Sequence, residues 1–230
     1  MKSKKFPRAL GFTAILSGIL AITSDMISIF TTVADLSRMG MSLSLQNIGV
    51  LLVEKPHQLL VVGHYLALFS IPIAGFSVVT HTYLGLRPVG RSFSRLFFFS
   101  GMFVVALGVA YHGLFGISAE VVQMGDPVLI DRVNTFFEPF GVVVSGLFLV
   151  LILSWTLMIL TGRTYYPRWV LLFSPFPVLA LTTIFAFLLP IPNIPTRVTL
   201  MVTNMNLPIT IWAVVSTVIL WDENLIDPVS

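Results

Sequence analysis

Seven polar or ionisable side chains stand in stretches of this sequence that are otherwise apolar: Asp25, His64, Tyr111, His112, Glu120, Glu138 and Asn206. An acid or an imidazole in hydrocarbon is costly, and where one occurs it pairs, faces a wet cavity or does chemistry. Asp25 and Glu138 are of the kind that donates a proton and His112 of the kind that accepts one, so these three are the candidate catalytic set. His64, Tyr111, Glu120 and Asn206 are candidate substrate-binding groups around them. No metal centre is expected, since the chain has four histidines and no cysteine and shows no metal-ligand spacing. No GxSxG, HExxH, DDxxD or paired HxxxH motif names a reaction.

The elements that must hold these groups are helices with small residues on the same face. From Arg95 to Val122, helical spacing puts Gly101, Gly108, His112, Gly116 and Glu120 on one stripe. Gly11, Gly18 and Asp25 recur every seven residues; Glu138, Gly141 and Ser145 make a third stripe, and Thr203, Asn206, Thr210 and Thr217 a fourth. Small residues on such stripes let neighbouring helices approach closely.

Composition sets the class. Of 230 residues, 56% are hydrophobic and 10% charged, and the mean hydropathy is +0.95. Soluble domains carry roughly a quarter charged residues, so this is an all-α, polytopic membrane bundle. The net charge of +3 does not point to nucleic acid, because the basic residues fall in short segments between apolar runs. The absence of cysteine excludes disulfides, thiolate nucleophiles and iron–sulfur ligation.

Apolar runs long enough to cross a ~30 Å hydrocarbon core predict one domain over residues 1–230, with spans at about 9–33, 60–84, 96–122, 135–160, 169–189 and 199–221. The first is expected to be retained, since it exceeds a signal-peptide core and carries Asp25. Ser42 to Val53 is too short to cross and predicts an interfacial or re-entrant helix. Gln123 to Asn134 reads as a polar turn, and Pro190 to Pro195 as a stiff connector. Six spans divide Lys and Arg nine to four in favour of the N-terminal side, which predicts a bacterial inner-membrane protein with both termini cytoplasmic.

In that topology Asp25 lies about 22 Å into an outward-running helix, and His112 is similarly deep. Both fall in the outer third of the bilayer, where an Asp25–His112 pair across a polar pocket is expected, with His64, Glu138 and Asn206 at the same level. Each group also has a plainer role. Asp25 and His112 could fix helix register, and His64 and Glu138 could be solvated near the interface. His57 and His81 read as interfacial, and the span-six hydroxyls as bonded back to their own helix.

Gly63-His64-Tyr65, Ile71-Pro72, Gly75 and Leu86-Arg87-Pro88, followed by Tyr111-His112-Gly113, resemble a group of uncharacterised bacterial six-span membrane proteins of about this length. The resemblance covers mainly spans two and three. It implies an integral membrane fold and no particular reaction.

The residues best fit an intramembrane enzyme acting on a lipid or isoprenoid by acid–base chemistry. The other readings are a small transporter or proton-coupled carrier, and a haem-binding or structural subunit in which His64 and His112 are the axial pair. No cofactor is assigned. The expected partners are membrane lipids and a hydrophobic small molecule, with no nucleic acid.

Overall fold

The computed structural model describes residues 6–29, 56–187 and 206–221. Among them lie six α-helices: α1 (Phe6–Ile29), α2 (His57–Leu86), α3 (Arg91–Met124), α4 (Pro127–Leu160), α5 (Pro175–Phe187) and α6 (Asn206–Ile219). Short 3-10 turns at Arg87–Val89 and Arg168–Phe173 join α2 to α3 and precede α5. The first four helices are each long and apolar enough to cross a membrane. Their outward faces carry large side chains such as Phe69, Phe99 and Phe136, each at least two-thirds exposed. A water-soluble domain would bury such a perimeter, whereas lipid solvates it.

α1 to α4 run antiparallel each to the next, α6 runs antiparallel to α1, and glycines set how closely these helices meet. Gly11 and Gly18 on α1 lie against Thr217 and Thr210 on α6, so that a Cβ at either would collide with the threonine side chain. On the other side of α1, Ser24 Oγ donates to the Gly63 carbonyl of α2 at 3.0 Å, at a crossing where Ser28 fills the space a Cβ of Gly63 would need. The seven-residue stripe expected on the first helix is therefore a seam with the span-six stripe. Arg8 closes its end, donating to the Trp221 carbonyl at 3.2 Å while its guanidinium lies over the indole.

The turn between α3 and α4 is much shorter than the expected Gln123–Asn134 segment. Gly125 takes the left-handed conformation, with φ 71°, that ends α3, and the Asp126 side chain accepts from the Val128 and Leu129 amides. Pro127 supplies the first residue of α4, where its missing N–H costs nothing. An aspartate followed by proline is a helix start, so residues 127–134 form the first turns of α4. Similarly, Pro175 opens α5 and does not break a longer helix, and residues 168–173 are 3-10. The Ser42–Val53 helix, the Pro190–Pro195 connector and Thr203 lie outside the described residues.

The core is densest at the end of the bundle where α1 begins, which we term the N-terminal end. There Phe97, Trp155, Trp212, Tyr166 and Ile159 are fully or almost fully buried. A second, smaller cluster of Leu60, Ala119, Val122 and Phe137 closes the far end.

Candidate functional site

α1 and α6 bring Asp25 and Asn206 together, since Asp25 follows Gly11 and Gly18 at the same seven-residue interval along the seam. Asn206 Nδ2 donates to Asp25 Oδ2 at 2.6 Å, and the aspartate is 7% exposed. Asn206 also lines a half-open cavity of about 190 Å³ between α2, α3, α4 and α6. Its other polar walls are Tyr111, His112 and Ser145. Gly108, one turn before His112, has open space where a Cβ would stand, so this glycine makes part of the volume. Tyr111 is held in place by Gly141, beside its hydroxyl, and by the Phe137 ring at 5.0 Å.

Helix register gives the cavity two ends. Tyr111, His112, Ser145 and Asn206 are at the far end, and Val78, Val79, Val104 and Leu151 line it toward the N-terminal end. Those four are almost fully buried and merge with the aromatic core below them.

The structure corrects the expected Asp25–His112 pair. Among the described residues no hydrogen bond or ion pair joins the two side chains, and Asn206 takes the carboxylate instead. The reason is helix packing: α1 packs chiefly on α2 and α6, whereas α3 packs chiefly on α2 and α4. His112 and Asn206 share the cavity, and Asp25 stands behind Asn206.

The remaining candidates fall elsewhere. His64 and Glu120 line a second cavity, of about 300 Å³, with Ser28, His57 and Tyr65. Glu120 meets His57 Nδ1 at 3.1 Å, the histidine exposed and the glutamate half-buried. His64 lies flat against Gly116, one turn beyond His112 on α3, where any Cβ would clash with its ring. Glu138 is half-buried and accepts from Asn134 Nδ2 at 3.1 Å along its own helix, and it lines neither cavity.

A third polar group was not anticipated from the sequence. At the N-terminal end His81 Nδ1 and Ser216 Oγ are 2.8 Å apart, and the Tyr166 hydroxyl is 2.7 Å from the same Ser216 Oγ. Trp212 Nε1 donates to Thr82 Oγ1 at 2.8 Å, beside Tyr166. His81 is thus buried, contrary to its interfacial reading. Burial pushes the Tyr166 phenol above the ordinary tyrosine range, against smaller opposing effects of its hydrogen bonds to Ser216 and Thr82. Only Gly85 leaves room for the Tyr166 ring, and its spacing from His81, four residues on, was the one available signal.

The profile of a family of unknown function, DUF6796, matches residues 1–199. The chain belongs to that family. No curated protein and no solved structure matches it. The region shared with the family carries Asp25, His64, His112 and Glu138, while Asn206 and the rest of α6 lie beyond it. Among the described residues no group of three or more His, Asp or Glu side chains could hold a metal ion.

Proposed function

We propose that this chain is an intramembrane enzyme that takes a lipid or isoprenoid into the α2–α3–α4–α6 cavity and carries out acid–base chemistry on it with His112. One observation carries the reading: an apolar cavity within the bundle has its polar groups gathered at one end. Such a cavity suits a molecule with one reactive polar group and a hydrocarbon body. His112 is the proton acceptor at that end, Tyr111 and Asn206 orient the substrate, and Asp25 fixes the Asn206 amide. Glu138 and Glu120, outside this cavity, are left without a direct part in the chemistry.

The reading places the protein in six crossings with both termini in the cytoplasm, on the basic-residue count, and treats it as one domain. A proton-coupled carrier is the weaker reading, because the apolar Val78, Val79, Val104 and Leu151 side chains lie between His112 and the buried His81–Ser216–Tyr166 group at the N-terminal end. An axial haem pair is disfavoured by His64, whose ring rests on Gly116 of the helix that bears His112 and leaves no gap for a macrocycle.

The test is mass spectrometry of hydrophobic compounds retained by purified wild type, Gly108→Phe and Gly146→Leu. Gly108 borders the cavity, whereas Gly146 is exposed and has open space around it. A compound held by wild type and Gly146→Leu, and lost from Gly108→Phe, supports the reading. Equal retention by all three, or none by wild type, rejects it.

A further inference from the structure

The α2–α3 junction makes a separate cavity at the N-terminal end, of about 340 Å³, and its walls are cationic. Arg87 from the 3-10 turn and Arg91 and Arg95 from the start of α3 surround it, with Tyr83 and Tyr165 completing the rim. Among the described residues none of the three guanidinium groups has a carboxylate or other hydrogen-bond partner. The first amides of α3 also lack a side-chain cap, so the positive end of a 34-residue helix lies beside the same space.

The backbone that carries the walls is tied down by its own hydrogen bonds. The Tyr165 amide donates to the Gly85 carbonyl at 2.9 Å, and the next residue, Tyr166, is fully buried on Ser216. Ser94 Oγ donates back to the Gly90 carbonyl at 3.0 Å, which ties down the start of α3. Three like charges gathered around a pre-formed cavity repel one another unless an anion lies between them.

The anion's source is indicated by the neighbours. Phe93, Leu96 and Phe99, on the same turns of α3 as the arginines, are 61%, 64% and 68% exposed. Only about 20 residues of a 34-residue helix are needed to cross the hydrocarbon, so the Arg91–Arg95 turn falls at headgroup depth. We propose that this cavity binds the phosphate headgroup of an anionic phospholipid, with Arg87, Arg91 and Arg95 holding the phosphate and the exposed phenylalanines and leucine lying along the acyl chains. Guanidinium forks match phosphate oxygens in pairs, which a lysine cluster would not do. The site is independent of the His112 cavity and does not rest on the function proposed for it.

The experiment is native mass spectrometry of the full chain released from nanodiscs of phosphatidylglycerol in phosphatidylcholine. Wild type is compared with Arg87→Gln/Arg91→Gln/Arg95→Gln and with Arg163→Gln/Arg168→Gln, which removes two charges of the neighbouring loop that do not line the cavity. A guanidinium in direct contact with the phosphate contributes about fivefold or more beyond the general attraction of a basic surface, so the triple variant should lose retention on the order of a hundredfold, while the loop variant, which weakens only that general attraction, loses clearly less. If the triple variant does not fold, Arg91→Gln and Arg95→Gln singly should each lose about fivefold. Equal retention by wild type and the cavity variants overturns the proposal, as does an equal loss in the loop variant. Thermal stabilisation by inorganic phosphate in pure phosphatidylcholine, without retained phosphatidylglycerol, overturns it in favour of a free-anion site.

Discussion

Asn206 donates its side-chain amide to Asp25 at 2.6 Å, and the two residues are 181 positions apart in sequence. The bond joins the first helix to the last one described and presents Asn206 to the cavity that His112 also lines. Each partner alone would be an unsatisfied polar group in a helix seam.

Coupling between the pair is therefore expected in stability. Asp25→Ala and Asn206→Ala should each destabilise the protein in detergent, and the double variant should cost less than the sum by roughly 0.5–1.5 kcal/mol, the range for polar contacts between membrane helices. Strictly additive losses in thermal or SDS unfolding would mean that the bond contributes nothing.

A size-exchange experiment tests the same seam at Gly18. The methyl of Gly18→Ala would meet the Thr210 side chain, so that variant should lose about 1–3 kcal/mol of stability. Thr210→Ala opens the space again, and the double variant should recover most of the loss. Failure of Thr210→Ala to compensate would place the contact elsewhere.

Much of this seam was legible in the sequence and its partner was not. Gly11, Gly18 and Asp25 are readable as one face because small residues and an acid repeat at a helical interval, and Asn206, Thr210 and Thr217 for the same reason. Periodicity orders residues within a helix but does not say which helix faces which, so similar depth and a glycine-bearing face match Asp25 to His112 although their helices pack chiefly on other partners. His81 shows the same limit: its partners Ser216 and Tyr166 come from α6 and from the loop before α5, and no spacing connects them. Asp126-Pro127 did carry its signal, a cap followed by a first-turn proline, but read as breakers the two residues hid the start of α4. The sequence also carried four long apolar helices plainly, since that property is local to each segment.

Alkaline pH should act on the protein through Tyr166. Its phenol is held protonated by burial in the folded state, above the value near 10 of an unfolded tyrosine. The folded state then keeps a proton that the unfolded state releases, so the stabilisation is complete below about pH 10 and is lost as pH rises beyond it. Thermal unfolding followed between pH 8 and pH 11 should fall more steeply for wild type than for Tyr166→Phe. Parallel curves would show that Tyr166 is not the responsible group.

Orientation can be checked directly because the chain has no cysteine. A cysteine placed at Gly125, in the α3–α4 turn, should react with a membrane-impermeant thiol reagent in intact cells, and one at Ser92, beside the arginine cavity, should not. Labelling at Ser92 alone would invert the protein and place the arginine cavity in the other leaflet.

The antiparallel seam between α1 and α6 also sets an order of events during synthesis. At about 5–20 residues per second, α6 follows α1 from the ribosome by roughly ten to forty seconds. For that interval Asp25 has entered the membrane without Asn206, and the contact of Ser24 and Ser28 with Gly63 is what can hold α1 in place. A nascent chain halted before Asn206 would expose an unpaired acid on a helix already in lipid, the kind of defect that membrane quality-control proteases can recognise.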